Sequence, residues 1–234
     1  MMPPSSRTAS WLLLVLARVS CAAVPRSGAG FTVRYFAYGS NLAASVREGR
    51  RRLAPISQAP GFVRDYRLAF NVPGFSPTEP AFASIAASPG DECRACSSTN
   101  ASCRTYITLL TGCHTCITVP LCADGGVYEL GLADWAKLCA SEGVPFGYRV
   151  IEVQVELYSG NRVPAWTLEA GSPSVLGDLP PSERYLSLLR DGAQELGLTR
   201  AWQERLASVA VAPLGTRAPL QAEQYERRRG ATFI

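Results

Sequence analysis

Phe31-Thr-Val-Arg-Tyr-Phe-Ala-Tyr-Gly-Ser-Asn41 is the stretch that decides the fold. Up to Tyr38 it is rich in β-branched and aromatic side chains, which pack well on a pleated, half-buried surface and read as a strand. Gly39-Ser40-Asn41 is a run of turn formers and stops it. A helix is expected next, over Leu42 to Arg50. The folded part of the chain therefore opens with a buried strand that delivers a polar turn to its own end.

Downstream, Arg64 to Asn71, Ala81 to Ala87 and Val127 to Leu130 are strand-like. Asp134 to Ala140 reads as a short helix stopped by Gly143 and Pro145. Arg149 to Leu157, with Val150, Ile151, Val153 and Val155, carries the strongest strand signal in the chain. A hairpin through Ser159-Gly160-Asn161 leads to a last strand at Ala165 to Glu169. Pro181 to Leu196 is amphipathic, with Tyr185, Leu186, Leu188 and Leu189 on its apolar side, and a further helix is expected over Trp202 to Val209. Strands first and helices later predict an α+β domain in which a curved sheet or small barrel carries helices outside.

The 234 residues, 47% hydrophobic and 18% charged, suffice for one cored domain of about 200 residues behind a leader. Residues 1–30 contain no acidic residue, an apolar run from Trp11 to Leu16 and small residues at Cys21-Ala22-Ala23. They predict a targeting leader, secretory or organellar, or an N-terminus outside the fold. The apolar run is too short to cross a bilayer, so no membrane span is expected. The net charge of +4 comes largely from arginines near the two ends, and Lys137 is the only lysine. No basic stripe interleaved with aromatics marks the middle, which argues against nucleic acid as a partner. The domain, residues 31–234, is interrupted by a Cys-rich insertion at 93–124. Cys93, Cys96, Cys103, Cys113, Cys116 and Cys122 lie there with the only histidine, His114. Three readings stand for it: a passive insertion, a disulfide-bonded loop, or a zinc site built on its two C-x-x-C pairs.

Elimination narrows the chemistry. With His114 confined to the insertion, the rest of the domain has no imidazole to activate a serine or cysteine, or to hold a catalytic metal. Neither a G-x-x-x-x-G-K-[ST] loop nor a G-x-G-x-x-G turn follows a strand. Carboxylate chemistry remains. Two places could serve it. At Gly39-Ser40-Asn41, backbone N–H groups turning toward a helix can face an anion, although Ser40 or Asn41 could equally be an ordinary N-cap. In Ser141-Glu142-Gly143, the carboxylate of Glu142 lies at a helix C-terminus beside apolar Val144 and Phe146. That setting disfavours the charged form and suits a general acid/base, but a surface glutamate at a helix end would look the same.

Taken together the motifs resemble the γ-glutamylcyclotransferase family. Tyr35-Phe-Ala-Tyr-Gly-Ser-Asn-Leu42 is similar to its signature strand and turn. Ser88-Pro-Gly-Asp-Glu92, Gly126-Val-Tyr-Glu-Leu130, Glu142-Gly-Val144, Val150-Ile-Glu-Val153, Pro181-Ser-Glu-Arg-Tyr185, Gly192-Ala193 and Glu195-Leu-Gly-Leu198 follow in the family's order. The resemblance departs at Leu168, where many members carry tyrosine. It implies a small mixed barrel flanked by helices, no cofactor and no metal, and it leaves room for a homodimer. It also implies a small γ-glutamyl substrate, cyclised to 5-oxoproline with release of the free amino acid. Residue by residue it makes Glu142 the catalytic acid/base, and lays the substrate over Tyr35, Phe36, Ala37, Tyr38, Gly39, Ser40 and Asn41, with Tyr185 closing the pocket.

Overall fold

The computed structural model describes residues 24–25, 31–76, 79–89, 92–96, 116–120, 122–173 and 177–213. The expected leader as far as Ala23 and the middle of the Cys-rich segment lie outside the described residues. Among the described residues ten strands run in order: β1 Val24–Pro25, β2 Phe31–Ala37, β3 Ser57–Arg64, β4 Tyr66–Ser76, β5 Glu79–Ala87, β6 Glu92–Cys96, β7 Cys116–Pro120, β8 Cys122–Gly131, β9 Tyr148–Leu157 and β10 Arg162–Ala170. Three α-helices accompany them: α1 Leu132–Ser141, α2 Glu183–Glu195 and α3 Arg200–Ala207.

Five of the strands close into a barrel in the order β2-β10-β9-β3-β8 and back to β2. β2 runs antiparallel to β8, from Thr32 opposite Gly131 to Ala37 opposite Gly126. It meets β10 in parallel at Tyr35 and Trp166, the one parallel contact in the ring. Closure satisfies the backbone polar groups that an open sheet leaves unpaired at its edges. The mixed barrel flanked by helices is the architecture expected from the sequence. β4 and β5 form a separate antiparallel ribbon, tied to the barrel where Ala170 N–H donates to Ser84 Oγ at 2.9 Å.

β3 was not expected, since Pro60 and Gly61 both weaken a strand assignment. Its pairing with β8 and β9 overrides that, and a Cβ at Gly61 would lie 2.7 Å from the Glu156 carbonyl oxygen. The helix expected over Leu42 to Arg50 is also different in the structure. A single 3-10 turn, Ser40–Leu42, breaks at Ala43, whose ψ of 130° is extended, and a π-helical turn follows over Ser45–Arg50. The cause is Arg47. Its guanidinium is buried and donates to the carbonyls of Leu42 (2.8 Å) and Asn41 (3.3 Å) and to Tyr128 Oη (3.0 Å), lying 4.3 Å over the Tyr128 ring. Carbonyls that a continuous α-helix would bond to its own N–H groups are held by a side chain instead.

The helices pack as their spacing predicts, except that Leu188 is only half-buried. α1 turns Trp135, Leu138 and Cys139 inward, and α2 turns in Tyr185, Leu186, Leu189, Gly192 and Ala193. At Gly192 the helix backbone presses against the turn after β2: a Cβ there would lie 2.4 Å from Ala43 N.

β6 and β7 pair only with each other among the described strands, from Glu92 opposite Pro120 to Cys96 opposite Cys116. Cys122, Ala123 and Asp124, counted with the insertion on composition, belong to β8 and pair with Arg64, Val63 and Phe62. Asp124 is buried and accepts from Tyr158 Oη (2.6 Å) and Thr199 Oγ1 (2.8 Å), tying β8 to the β9–β10 hairpin and to the N-cap of α3. Replacing residues 92–120 by a short Gly-Ser link should therefore leave the melting temperature within about 2 °C of the parent. Extending the deletion through Asp124 should lower it sharply, and a thermal melt of the two deletions compares them directly.

Candidate active site

Glu142 is placed by the way α1 ends. Trp135 and Leu138 bury one helix face, and Gly143, at φ +66°, stops the next turn in the left-handed conformation that glycine adopts at a helix C-terminus. The N–H of Val144 returns to the Cys139 carbonyl at 3.0 Å, and those of Phe146 and Gly147 both reach the Gly143 carbonyl at 2.8 Å. Glu142 is held as the capping residue just past the helix, its carboxylate turned toward the end of β2.

There it meets the turn singled out in the sequence. Asn41, almost fully buried, donates from Nδ2 to Glu142 Oε1 at 2.8 Å and to Tyr35 Oη at 3.0 Å. Neither Ser40 nor Asn41 caps a helix through its side chain. The two places that the sequence offered separately are thus one site, joined by Asn41. Gly39 is there for a different reason than expected. Its φ of −108° is open to other residues, and a Cβ would sit in ordinary contact, 3.4 Å from Tyr185 Oη. Neither backbone freedom nor lack of room for a Cβ therefore requires glycine at this position.

Two further members were not legible in the sequence. Arg51, just past the π-helical turn, pairs through Nη2 with Glu142 Oε1 at 2.7 Å and donates from Nη1 to Ser141 Oγ. The two side chains are 16% and 14% exposed, sheltered yet within reach of solvent. Tyr148, the first residue of β9, donates to the Ala83 carbonyl at 2.9 Å, while the Ala83 N–H donates to Tyr185 Oη at 3.1 Å. Ala83 on β5 is thereby gripped by two tyrosines, and Phe82 meets the Tyr185 ring edge-on at 5.1 Å.

Four tyrosines, Tyr35, Tyr38, Tyr148 and Tyr185, surround the carboxylate. Burial pushes every one of these phenols up, and the nearby Glu142 charge adds to it. For Tyr185 the result is about 12, with hydrogen bonds from Ala83 and Ser40 opposing the rise. These groups stay protonated near neutral pH and can donate but not accept a proton. Cys139 is likewise pushed up to about 12, by burial first and Glu142 second, so its thiol is no nucleophile. Among the described residues Glu142 is the one carboxylate of this cluster.

The remaining expected residues divide. Tyr38 lies at the site, its hydroxyl donating to the Leu168 carbonyl, which is how the position where the family pattern departs takes part. Leu168's own side chain is buried in the core. Phe36 and Ala37 are fully buried, and Phe36 packs toward Gly125 on β8. Two surface hollows lie apart from this cluster, one against Leu53 to Gln58 and one beside Phe62, Asp124 and Tyr158. No group of three metal-ligating side chains occurs among the described residues, and those of Cys93, Cys96, Cys103, Cys113 and Cys116 lie outside that description.

The AIG2-like family model matches residues 124–206, which run from β8 through α1 into α3. A γ-glutamylcyclotransferase of Bos taurus is 27% identical over 188 residues, covering 79% of this chain and 82% of its own. A γ-glutamyl cyclotransferase of Aspergillus oryzae is 27% identical over 172 residues, covering 69% of this chain. The alignment spans only 55% of that fungal protein's length. Among solved structures, one described as a γ-glutamyl cyclotransferase superposes with a TM-score of 0.57 at 24% identity, covering 84% of this chain and 99% of the other. A human protein described as uncharacterized gives 0.58 at the same identity, over 84% and 98%.

Proposed function

We propose, on the premise that this chain is γ-glutamylcyclotransferase-like in sequence and fold, that it cyclises γ-glutamyl amino acids to 5-oxoproline and releases the free amino acid, with Glu142 as general acid/base. The observation that carries this reading is the hydrogen bond from Asn41 to Glu142, which sets the one titratable carboxylate of the site against the turn after β2. A γ-glutamyl group contains its own nucleophile, the α-amine, and its own electrophile, the γ-carbonyl. Ring closure therefore needs neither water nor an imidazole. The protein has to fold the substrate so that the two meet, and holding them in place supplies most of the advantage of an intramolecular reaction.

The α-ammonium first gives one proton to Glu142 and becomes nucleophilic. Its nitrogen bonds to the γ-carbon, and the carbonyl oxygen carries the developing charge. The Tyr35 hydroxyl, which accepts from Asn41 and keeps its own proton to give, and backbone N–H groups of the Gly39 to Asn41 turn are the candidate donors to that oxygen. Glu142 then hands the first proton to the leaving nitrogen as the amide C–N bond breaks, which frees its carboxylate to take the second proton from the ring nitrogen. The free amine takes up this second proton, so the reaction is balanced with no cofactor.

The test is 5-oxoproline release from γ-glutamyl-alanine by the purified chain, with γ-glutamyl-ε-lysine run alongside. Release from the first supports the proposal as stated. Release from the second alone keeps the cyclisation and moves the leaving group to a side-chain amine. A folded protein that releases 5-oxoproline from neither would overturn it.

A further inference from the structure

Two polar atoms beside Glu142 have no hydrogen-bond partner although both are buried: Arg51 Nε, a donor, and Asn41 Oδ1, an acceptor. Unsatisfied buried groups are uncommon, and each adds a desolvation penalty that a bound ligand can remove. Around the carboxylate the arrangement is one open cationic donor, one open neutral acceptor, and a carboxylate whose Oε1 takes both Asn41 Nδ2 and Arg51 Nη2. Along the Nε–Nη2 edge of the guanidinium, which matches a carboxylate with two parallel N–H donors, only Nη2 is engaged.

We infer that Arg51 and Asn41 recognise the α-amino-acid head of the substrate by exchanging partners with Glu142, Arg51 taking the α-carboxylate through Nε while Asn41 Oδ1 and Glu142 take the α-ammonium. The inference rests on the proposed γ-glutamyl reading and names the residue that selects for it. The head group carries its two charges on one carbon, and Arg51 and Glu142 carry theirs 2.7 Å apart. Swapping one pair into the other leaves every charge paired, so no isolated ion is buried at any stage. It also puts the α-amine against Glu142, the group that must take its proton.

The same exchange accounts for product release. Once the ring closes, the ammonium has become a lactam N–H and the product keeps only a carboxylate. Glu142, no longer engaged by a cation, returns to Arg51 and competes with that carboxylate. The closed Arg51–Glu142 pair is the resting state, and only a ligand bearing both charges opens it without penalty.

The experiment compares γ-glutamyl-alanine with 4-aminobutanoyl-alanine, which lacks the α-carboxylate but closes to a lactam by the same route. The wild-type protein should favour the first in kcat/KM by on the order of 10- to 100-fold, the worth of a hydrogen-bonded charge contact. In Arg51→Met that preference should collapse to within about threefold, and in Arg51→Lys, which keeps the cation without the fork, it should be intermediate. A merely structural Arg51 would slow both substrates alike, so an unchanged preference in a folded variant overturns the inference. Should Arg51→Met fail to fold, Arg51→Lys decides on the same criterion. Wild type that turns over neither substrate defeats the γ-glutamyl reading itself, and the inference falls with it. Binding of 5-oxoproline gives a second readout that needs no turnover. Glu142→Gln, which removes the competing carboxylate, should bind it about tenfold more tightly than wild type, and Arg51→Met more weakly. Equal affinity in all three proteins would also overturn the exchange.

Discussion

Glu142→Gln is expected to lower kcat for γ-glutamyl-alanine by about 10²- to 10⁴-fold, the range that a positioned proton carrier contributes. The amide oxygen can still accept from Asn41 Nδ2, so the site keeps its shape while losing the proposed proton carrier. Arg51 loses its anionic partner but remains within reach of water, so unfolding should become easier by only about 1–2 kcal/mol. Steady-state kinetics and a melting curve on the same preparation separate the two effects. Near-normal kcat in the variant would remove Glu142 from the mechanism, and a collapsed melting curve would make the lost rate uninformative. The four tyrosines and Cys139 offer no substitute base, because burial holds all of them protonated.

Trp135→Ala should give the largest change in stability. The side chain is fully buried between α1 and β2, and its ring lies 5.9 Å from that of Tyr35. Truncating a buried tryptophan removes its transfer free energy and leaves a cavity, together about 3–5 kcal/mol. At this chain length that corresponds to a melting temperature roughly 10 °C lower. The loss should also reach the site, since Trp135 backs Tyr35 on one side and belongs to the helix that ends in Glu142 on the other. A raised KM measured well below the new melting temperature would show that coupling. A drop of under 1 kcal/mol would mean that the helix does not depend on this packing.

β2, and β10 from Ala165 to Leu168, were legible because apolar side chains fill both faces, and β9 because Val153 and Val155 alternate with exposed Glu152 and Gln154. β3 was not, because Pro60 and Gly61 depress local propensity and only the backbones of β8 and β9 on either side make a strand of it. Helix α1 and its glycine stop could be read from residue types alone, and so could Glu142 at its end. Asn41 was legible as a turn residue, but its partner was not, since the two lie 101 positions apart. Arg51 was hidden by its surroundings. It stands in a run with Arg47, Arg50 and Arg52, and a π-helical turn within that run shifts the phase that a helical reading would use to choose the inward cation. Arg47 and Arg51 both turn in, one to carbonyls and the other to Glu142. Tyr148 carried no signal beyond being an aromatic residue at the start of a strand.

The closed ring of strands also dictates an order of events during synthesis. β2 emerges from the ribosome early with only the two residues of β1 to pair with, and its barrel partners are residues 126–131 of β8 and Trp166 of β10. Tyr38 has to wait 130 residues for the Leu168 carbonyl, and the Ala83 N–H waits 102 for Tyr185. Contacts so distant in sequence form slowly, because chain entropy is lost before they contribute anything. An apolar strand therefore lacks its barrel partners for most of translation, and no partial product ending before α2 holds the whole cluster around Glu142. The candidate site is completed only after nearly the whole described chain has been made, so a prematurely terminated chain would lack it and would present β2 to the cell's chaperones.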